Sequence, residues 1–305
     1  MPGVTQARSL DRTREWAAAM GAWEVFSFPD ARSLAEAAAQ DWLAWLRRTP
    51  RVGPSSRAEQ PSVAGGPPSP PPGDRTETSW AQAQIEPKPS LPMPPDHPTA
   101  PACSVALSGG RIAREFFVAL SRAAFGAPGF WDGVDFFWAD ERCVPPDHPE
   151  SNFALAHQLL LGPAGVPPGR IHRIRGELDA DQAARLASAE LQRVVTVGED
   201  GLPVLDWVFL GMGEDGHVAS LFPGDPAPEA NELYRAVIAP KPPPRRITLS
   251  YAVLAAARQV WVLISGPGKE AALRASLTAN GTTPLARVLQ RRSYTRIYTD
   301  VVTPR

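Results

Sequence analysis

Two cysteines, Cys103 and Cys143, are all that this chain of 305 residues carries. Two thiols cannot build a disulfide framework, and these lack the spacing of metal ligands. Both fall beside predicted strands, which suits buried thiols in a reducing compartment. An excess of either charge is lacking too, since 31 basic residues face 32 acidic ones for a net charge of −1. A nucleic-acid or membrane-surface binder would carry a basic excess, so neither partner is expected. No apolar run approaches membrane-spanning length. The opening MPGVTQARSLDRTREW lacks the apolar centre of a signal peptide. A cytoplasmic location is the resulting expectation.

Apolar residues and proline, by contrast, are plentiful. A hydrophobic content of 43% supports a sizeable core, as one large domain or two small ones. Fifteen of the 35 prolines lie between Pro50 and Pro101, in stretches such as GGPPSPPPG and EPKPSLPMPPDHP. That density removes backbone donors and disfavours helix and internal strand. Residues 50–101 therefore read as a disordered insertion, within which PSPPP offers a weak docking segment. Ahead of it, WEVFSF (23–28) reads as a strand, and Asp30 starts a helix with Leu34, Ala38, Trp42 and Trp45 on one face. This piece is too small to stand alone. Residues 23–49 and 102–305 are expected to form one α/β domain, preceded by a flexible N-terminus, 1–22.

From residue 103 strands and helices alternate. CSVAL (103–107), VDFFW (134–138), LDWVFLG (205–211), RRITLSYAV (245–253) and QVWVLISG (259–266) read as strands. A helix is expected around 179–193, another with Ser151 as N-cap, and a third from about Gly268. Near-continuous apolar strands suit a sheet covered on both faces. The fold class is therefore α/β, an open, mainly parallel, doubly wound sheet. In such a sheet the carboxyl ends of the strands share one edge, where ligands bind. SGG, DER, GMGEDGH and SGPGK each follow a predicted strand, so four distant motifs are expected to meet in one crevice.

Gly211, Gly213 and Gly216 match the dinucleotide fingerprint G-x-G-x-x-G. That reading requires a long helix after the third glycine, but VASLF stops at Pro223, Gly224 and Pro226. Glu214 and Asp215 would also set two carboxylates beside a pyrophosphate; they read better as supports of the loop. The alternative is that glycines turn the backbone and bring His217 to the sheet edge, where an imidazole can act as a base near neutral pH. Asp140-Glu141-Arg142 is either a solvated charge cluster or a carboxylate and guanidinium set in the same site. Ser108, Gly109 and Gly110 precede a helix and can present backbone N–H groups to a phosphate. Arg245, Arg246 and Lys269 flank strand ends and suit phosphate recognition. The residues alone thus point to a metal-free site for a small phosphorylated substrate, with a histidine base.

ALSGG, WADERCVPPDHPESN, LGMGEDGHVASLFPG, PPPRRITLS and ISGPGKEAAL stand in the order found in the 6-phosphogluconolactonase family, which this chain resembles from residue 103 onward and again at WEVFSFPDARSLAEAAA. The resemblance implies a Rossmann-like, NagB/RpiA-type scaffold and hydrolysis of 6-phospho-D-glucono-1,5-lactone in the oxidative pentose phosphate pathway, with no cofactor. It implies that His217 activates water, that Asp140 orients and that Arg142 meets the anionic substrate. N–H groups around Gly213 and Gly216 would stabilise the oxyanion. The phosphate would lie on Ser108, Gly109 and Gly110, with Arg246 and Lys269 nearby. The related glucosamine-6-phosphate deaminases carry DEY where this chain has DER, and follow their histidine with a different run. One departure stands out. The family follows SGG with a hydroxyl residue and proline, whereas this chain has Arg111 and Ile112; Arg111 either replaces the hydroxyl by charge or faces solvent.

Overall fold

The computed structural model describes residues 22–48, 103–127, 129–225 and 232–301. The proline-rich segment with PSPPP, and the N-terminal stretch apart from Ala22, lie outside the described residues. Six parallel strands form the main sheet in the order β1-β9-β8-β5-β2-β3. They are β1 (Ala22–Ser27), β2 (Cys103–Leu107), β3 (Val134–Trp138), β5 (Trp207–Gly211), β8 (Gln259–Ile264) and β9 (Tyr294–Thr299). The expected parallel, doubly wound class is what forms.

A second sheet was not foreseen. β4 (Asp140–Arg142), β7 (Arg245–Leu249) and β6 (Tyr234–Ile238) make a three-stranded antiparallel sheet, in the order β4-β7-β6. The stretch 245–253 is therefore not one strand of the main sheet. It is β7 followed by a short helix α5 (Tyr251–Ala256), started by Ser250, whose Oγ accepts from the Val253 N–H. Asp140-Glu141-Arg142 is itself a strand, cut off from β3 by Ala139 alone.

Helix α1 (Ala31–Arg48) begins where expected: Asp30 accepts from the Ser33 N–H at 2.7 Å and caps it. Its buried stripe runs through Leu34, Ala38 and Trp42. Trp42 packs edge-on to Phe209 of β5, with ring centroids 4.9 Å apart, and Phe116 of α2 (Arg111–Ala123) meets the same ring at 4.7 Å. Trp261 of β8 and Tyr298 of β9 extend this aromatic layer along the sheet. Burying each such ring contributes about 1.5–3 kcal/mol. The remaining helices are α3 (Asn152–Ala156), which continues as a π-helical turn over 157–161, α4 (Ala180–Val194), α6 (Glu270–Ser276) and α7 (Pro284–Leu289).

The chain leaves β2 toward β3 but runs from β5 through β8 to β9 in the other direction. The sheet therefore switches direction between its neighbours β2 and β5. Loops leaving two such strands diverge and open a crevice at their carboxyl ends.

Candidate active site

At that switch point lies a cavity of about 130 Å³. Ser108, Gly109, Gly110 and Arg111 line it from the loop after β2, Gly211, Met212, Gly213, His217 and Ala219 from the loop after β5. Asp140 and Arg142 reach it from β4, Arg246 from β7, Asn152 from α3 and Lys269 from the loop after β8. All four motifs converge as the sheet-edge argument requires. Of the ten residues expected in the site, only Gly216 is absent from the lining.

Asp215 fixes His217. The imidazole Nδ1 and an Asp215 carboxylate oxygen are 2.5 Å apart, and the same oxygen accepts the His217 backbone N–H at 3.2 Å. Burial pushes the Asp215 carboxyl up, but the hydrogen bonds and charge of His217 outweigh it and hold the carboxyl below its ordinary range. An ionised Asp215 favours the tautomer of the neutral imidazole that carries its proton on Nδ1, and in that tautomer Nε2 keeps a lone pair. Among the described residues Nε2 has no hydrogen-bond partner. Gly213 makes room for this ring: a Cβ there would stand 2.1 Å from two of its atoms. Gly216 serves the turn instead, with φ +79° and its would-be Cβ at 2.8 Å from Thr283.

Of the loop N–H groups expected around the oxyanion, those of Gly213 and Gly216 themselves are engaged elsewhere. The Gly213 N–H donates to the His217 carbonyl at 2.9 Å, and the Gly216 N–H to the Gly213 carbonyl at 3.1 Å. Both are spent on closing the loop.

The DER cluster separates into three fates. Asp140, 4% exposed, accepts from Ser220 Oγ at 2.7 Å and from Asn152 Nδ2 at 3.3 Å. The Ser220 N–H also donates to Thr248 of β7, the cross-strand neighbour of Asp140, so the histidine loop hangs on the small sheet. Glu141 points away and accepts from the N–H groups of Arg142, Asn152 and Phe153 and from Ser151 Oγ, capping α3. Burial raises its carboxyl, against the hydrogen bonds that favour the ionised form. Arg142 donates to the Glu150 carbonyl at 2.7 Å and carboxylate at 3.2 Å, while its Nε is buried without a partner.

Sequence reasoning missed Asn152 and Ser220. Their roles depend on contacts to Asp140 across 12 and 80 residues, and only the ESN and HVAS strings carry a local trace of them. Asn152 is also why position 109 must be glycine: a Cβ there would stand 1.8 Å from Oδ1 of the Asn152 side chain. Ala219, beside Ser220, holds φ +49°, a left-handed conformation that a residue with a Cβ adopts only when its surroundings enforce it.

The electrostatics are lopsided. Arg111, Arg142, Arg246 and Lys269 line the cavity against one carboxylate, Asp140. Arg142 and Arg246 are directly opposite across the β4–β7 pair, which sets like charges side by side. Burial lowers the Arg246 guanidinium from its ordinary value and the Arg142 charge adds to the effect. Burial lowers Lys269 likewise, with Arg111 adding to it. Ser108 Oγ is buried with no partner. Arg111, Arg246 and Lys269, with no acidic partner among the described residues, and an orphan donor around one small cavity are what a bound anion would satisfy. Among the described residues no group of three or more His, Cys, Asp or Glu side chains is arranged to hold a metal ion.

Known proteins fit this picture. A 6-phosphogluconolactonase of Mycobacterium tuberculosis is 41% identical over 155 residues, covering 48% of this chain and 62% of that one. A chloroplastic 6-phosphogluconolactonase of Arabidopsis thaliana is 36% identical over 200 residues, covering 61% and 59%. The chain thus spans about three fifths of the length of these relatives. The structure of 6-phosphogluconolactonase from Trypanosoma cruzi superposes with a TM-score of 0.66 over 92% of this chain and 95% of that one, at 20% identity, a likeness of fold. The model of the glucosamine-6-phosphate isomerases/6-phosphogluconolactonase family matches residues 98–297, and the chain belongs to that family.

Proposed function

We propose that this chain hydrolyses 6-phospho-D-glucono-1,5-lactone to 6-phospho-D-gluconate. The observation that carries the reading is His217, held through Nδ1 by Asp215 with Nε2 free, in a cavity rimmed by four cations. Nε2 takes a proton from water as the water oxygen bonds to the lactone carbonyl carbon. Negative charge grows on the carbonyl oxygen within the cationic rim, which replaces the Gly213 and Gly216 N–H groups as its source of stabilisation. The ring C–O bond then breaks, and the imidazolium returns the proton to the ring oxygen. Asp140 orients, holding the histidine loop through Ser220. Arg142 meets the substrate, while Ser108, Gly109, Gly110, Arg246 and Lys269 receive the phosphate.

The base and the charge stabilisers are all side chains, so the reading calls for no metal or cofactor. The partner is a small phosphorylated lactone. A cytoplasmic setting suits a chain in which Cys103 and Cys143 form no disulfide; no helix among the described residues is long and apolar enough to cross a membrane. The test follows loss of freshly generated lactone above its spontaneous hydrolysis, with ammonia release from glucosamine 6-phosphate measured on the same samples. Accelerated lactone loss without ammonia is the expected result. Ammonia release with no acceleration of lactone loss would replace the lactonase by a deaminase.

A further inference from the structure

We propose that Arg111 is a specificity-determining residue, a second cation that clamps the substrate phosphate together with Lys269. The proposal rests on the lactonase reading for the identity of the substrate, though not for the presence of a phosphate subsite. Arg111 is the first residue of α2, thirteen residues long, whose cap Gly110 offers no side-chain acceptor and whose first turn has no acidic residue. A cation at this end opposes the helix dipole. Arg111 is exposed yet lines the cavity, and its guanidinium Nη2 approaches the loop after β8, where a Cβ on Gly266 would lie 3.9 Å from it. There its charge acts on the buried Lys269, lowering the proton affinity of that ammonium after burial itself. Among the described residues no acidic side chain pairs with Arg111.

Two cations and a helix N-terminus thus repel one another at one end of the cavity. Ser108 Oγ, a donor with no partner on a residue 8% exposed, lines the same end. A dianionic phosphate satisfies all of these at once: the orphan hydroxyl, the open N–H groups of the helix, Lys269 and the planar fork of Arg111. A neutral or singly charged group does not. The charge that costs stability in the empty site is therefore the charge that selects a phosphorylated ligand.

The test compares wild type with Arg111→Ala, Arg111→Lys and Arg111→Ser. Calorimetry measures binding of 6-phosphogluconate, with gluconate as the unphosphorylated control, and kinetics measure kcat/KM for the phosphorylated and unphosphorylated lactones. Arg111→Ala should weaken 6-phosphogluconate binding by about 10- to 50-fold, the size of a lost hydrogen bond to a charged group. The ratio of kcat/KM for the two lactones should fall similarly. Arg111→Lys, which keeps the charge without the fork, should recover part of the loss. Phosphate affinity and selectivity within twofold of wild type in Arg111→Ala would overturn the proposal and leave the lactonase intact. Arg111-dependent binding of 6-phosphogluconate by a wild type that does not hydrolyse the lactone would sink the proposed function and keep the clamp. A wild type that does not bind 6-phosphogluconate would overturn the clamp.

Discussion

His172 and His217 both sit against carboxylates, and the contrast between them shows what makes a histidine chemically available. His172 has both ring nitrogens engaged, Nδ1 with Glu190 at 2.7 Å and Nε2 with Asp135 at 2.8 Å. Its ring stacks on Phe137 at 4.6 Å, and Arg170 holds Asp135 from the other side. His217 spends one nitrogen on Asp215 and keeps the other for the cavity. Side-chain exposure follows suit, 6% for His172 against 22% for His217. A carboxylate neighbour alone does not mark a catalytic imidazole. A nitrogen left over on a ring that lines the cavity does.

The contrast breaks most sharply at His217 itself. His217→Ala should lower kcat/KM for the lactone by about 10²–10⁴-fold, the range of a well-placed general base, with little change in melting temperature. Gly213→Ala should come next. Its methyl would occupy the space of the imidazole, and a displacement on the order of 1 Å costs about a hundredfold in rate. Asp215→Asn removes the acceptor that fixes the Nδ1 proton, and steady-state kinetics should show a lower kcat, the loss expected when the imidazole is left in the wrong tautomer.

At His172 the expected readout changes from rate to stability. His172→Ala should cost about 1–3 kcal/mol in denaturant unfolding, because Asp135 and Glu190 each lose a partner. The rate per folded molecule should stay within about threefold of wild type. A hundredfold loss of rate there would erase the distinction drawn between the two histidines. The smallest effect concerns Glu190. Its carboxyl is held down to about 2, first by the Arg193 hydrogen bond and then by His172, against burial. A carboxyl lowered in the folded state stabilises the protein above its ordinary value near 4.5, and that stability drains away as pH falls toward 2. Glu190→Gln should therefore flatten the dependence of unfolding free energy on pH between those values.

The site was legible where position along the sheet decides it. SGG, GMGEDGH and SGPGK follow β2, β5 and β8, and the parallel-sheet rule alone gathers them. It was illegible where the local signal is short or the partner distant. β4 is three residues long, too brief for an alternating pattern, so its place in an antiparallel sheet could not be read from DER. Glu141 carries the same charge as Asp140, yet pleating turns it to the other face, where it caps a helix instead of lining the site. The N–H groups of Gly213 and Gly216 look free in sequence because nothing local shows the loop folding back on itself.

The place of β1 in the main sheet has a consequence for how the chain is made. Among the described residues, β1, at residues 22–27, has β9, at residues 294–299, as its one ladder partner. During vectorial synthesis the first strand of the sheet leaves the ribosome long before its partner exists. Its helix α1 can already settle on α2, but the sheet edge stays open until the last strand emerges. A ribosome stalled before residue 294 would hold a chain with all four site motifs synthesised and that edge unpaired, a state in which a chaperone has a strand to guard.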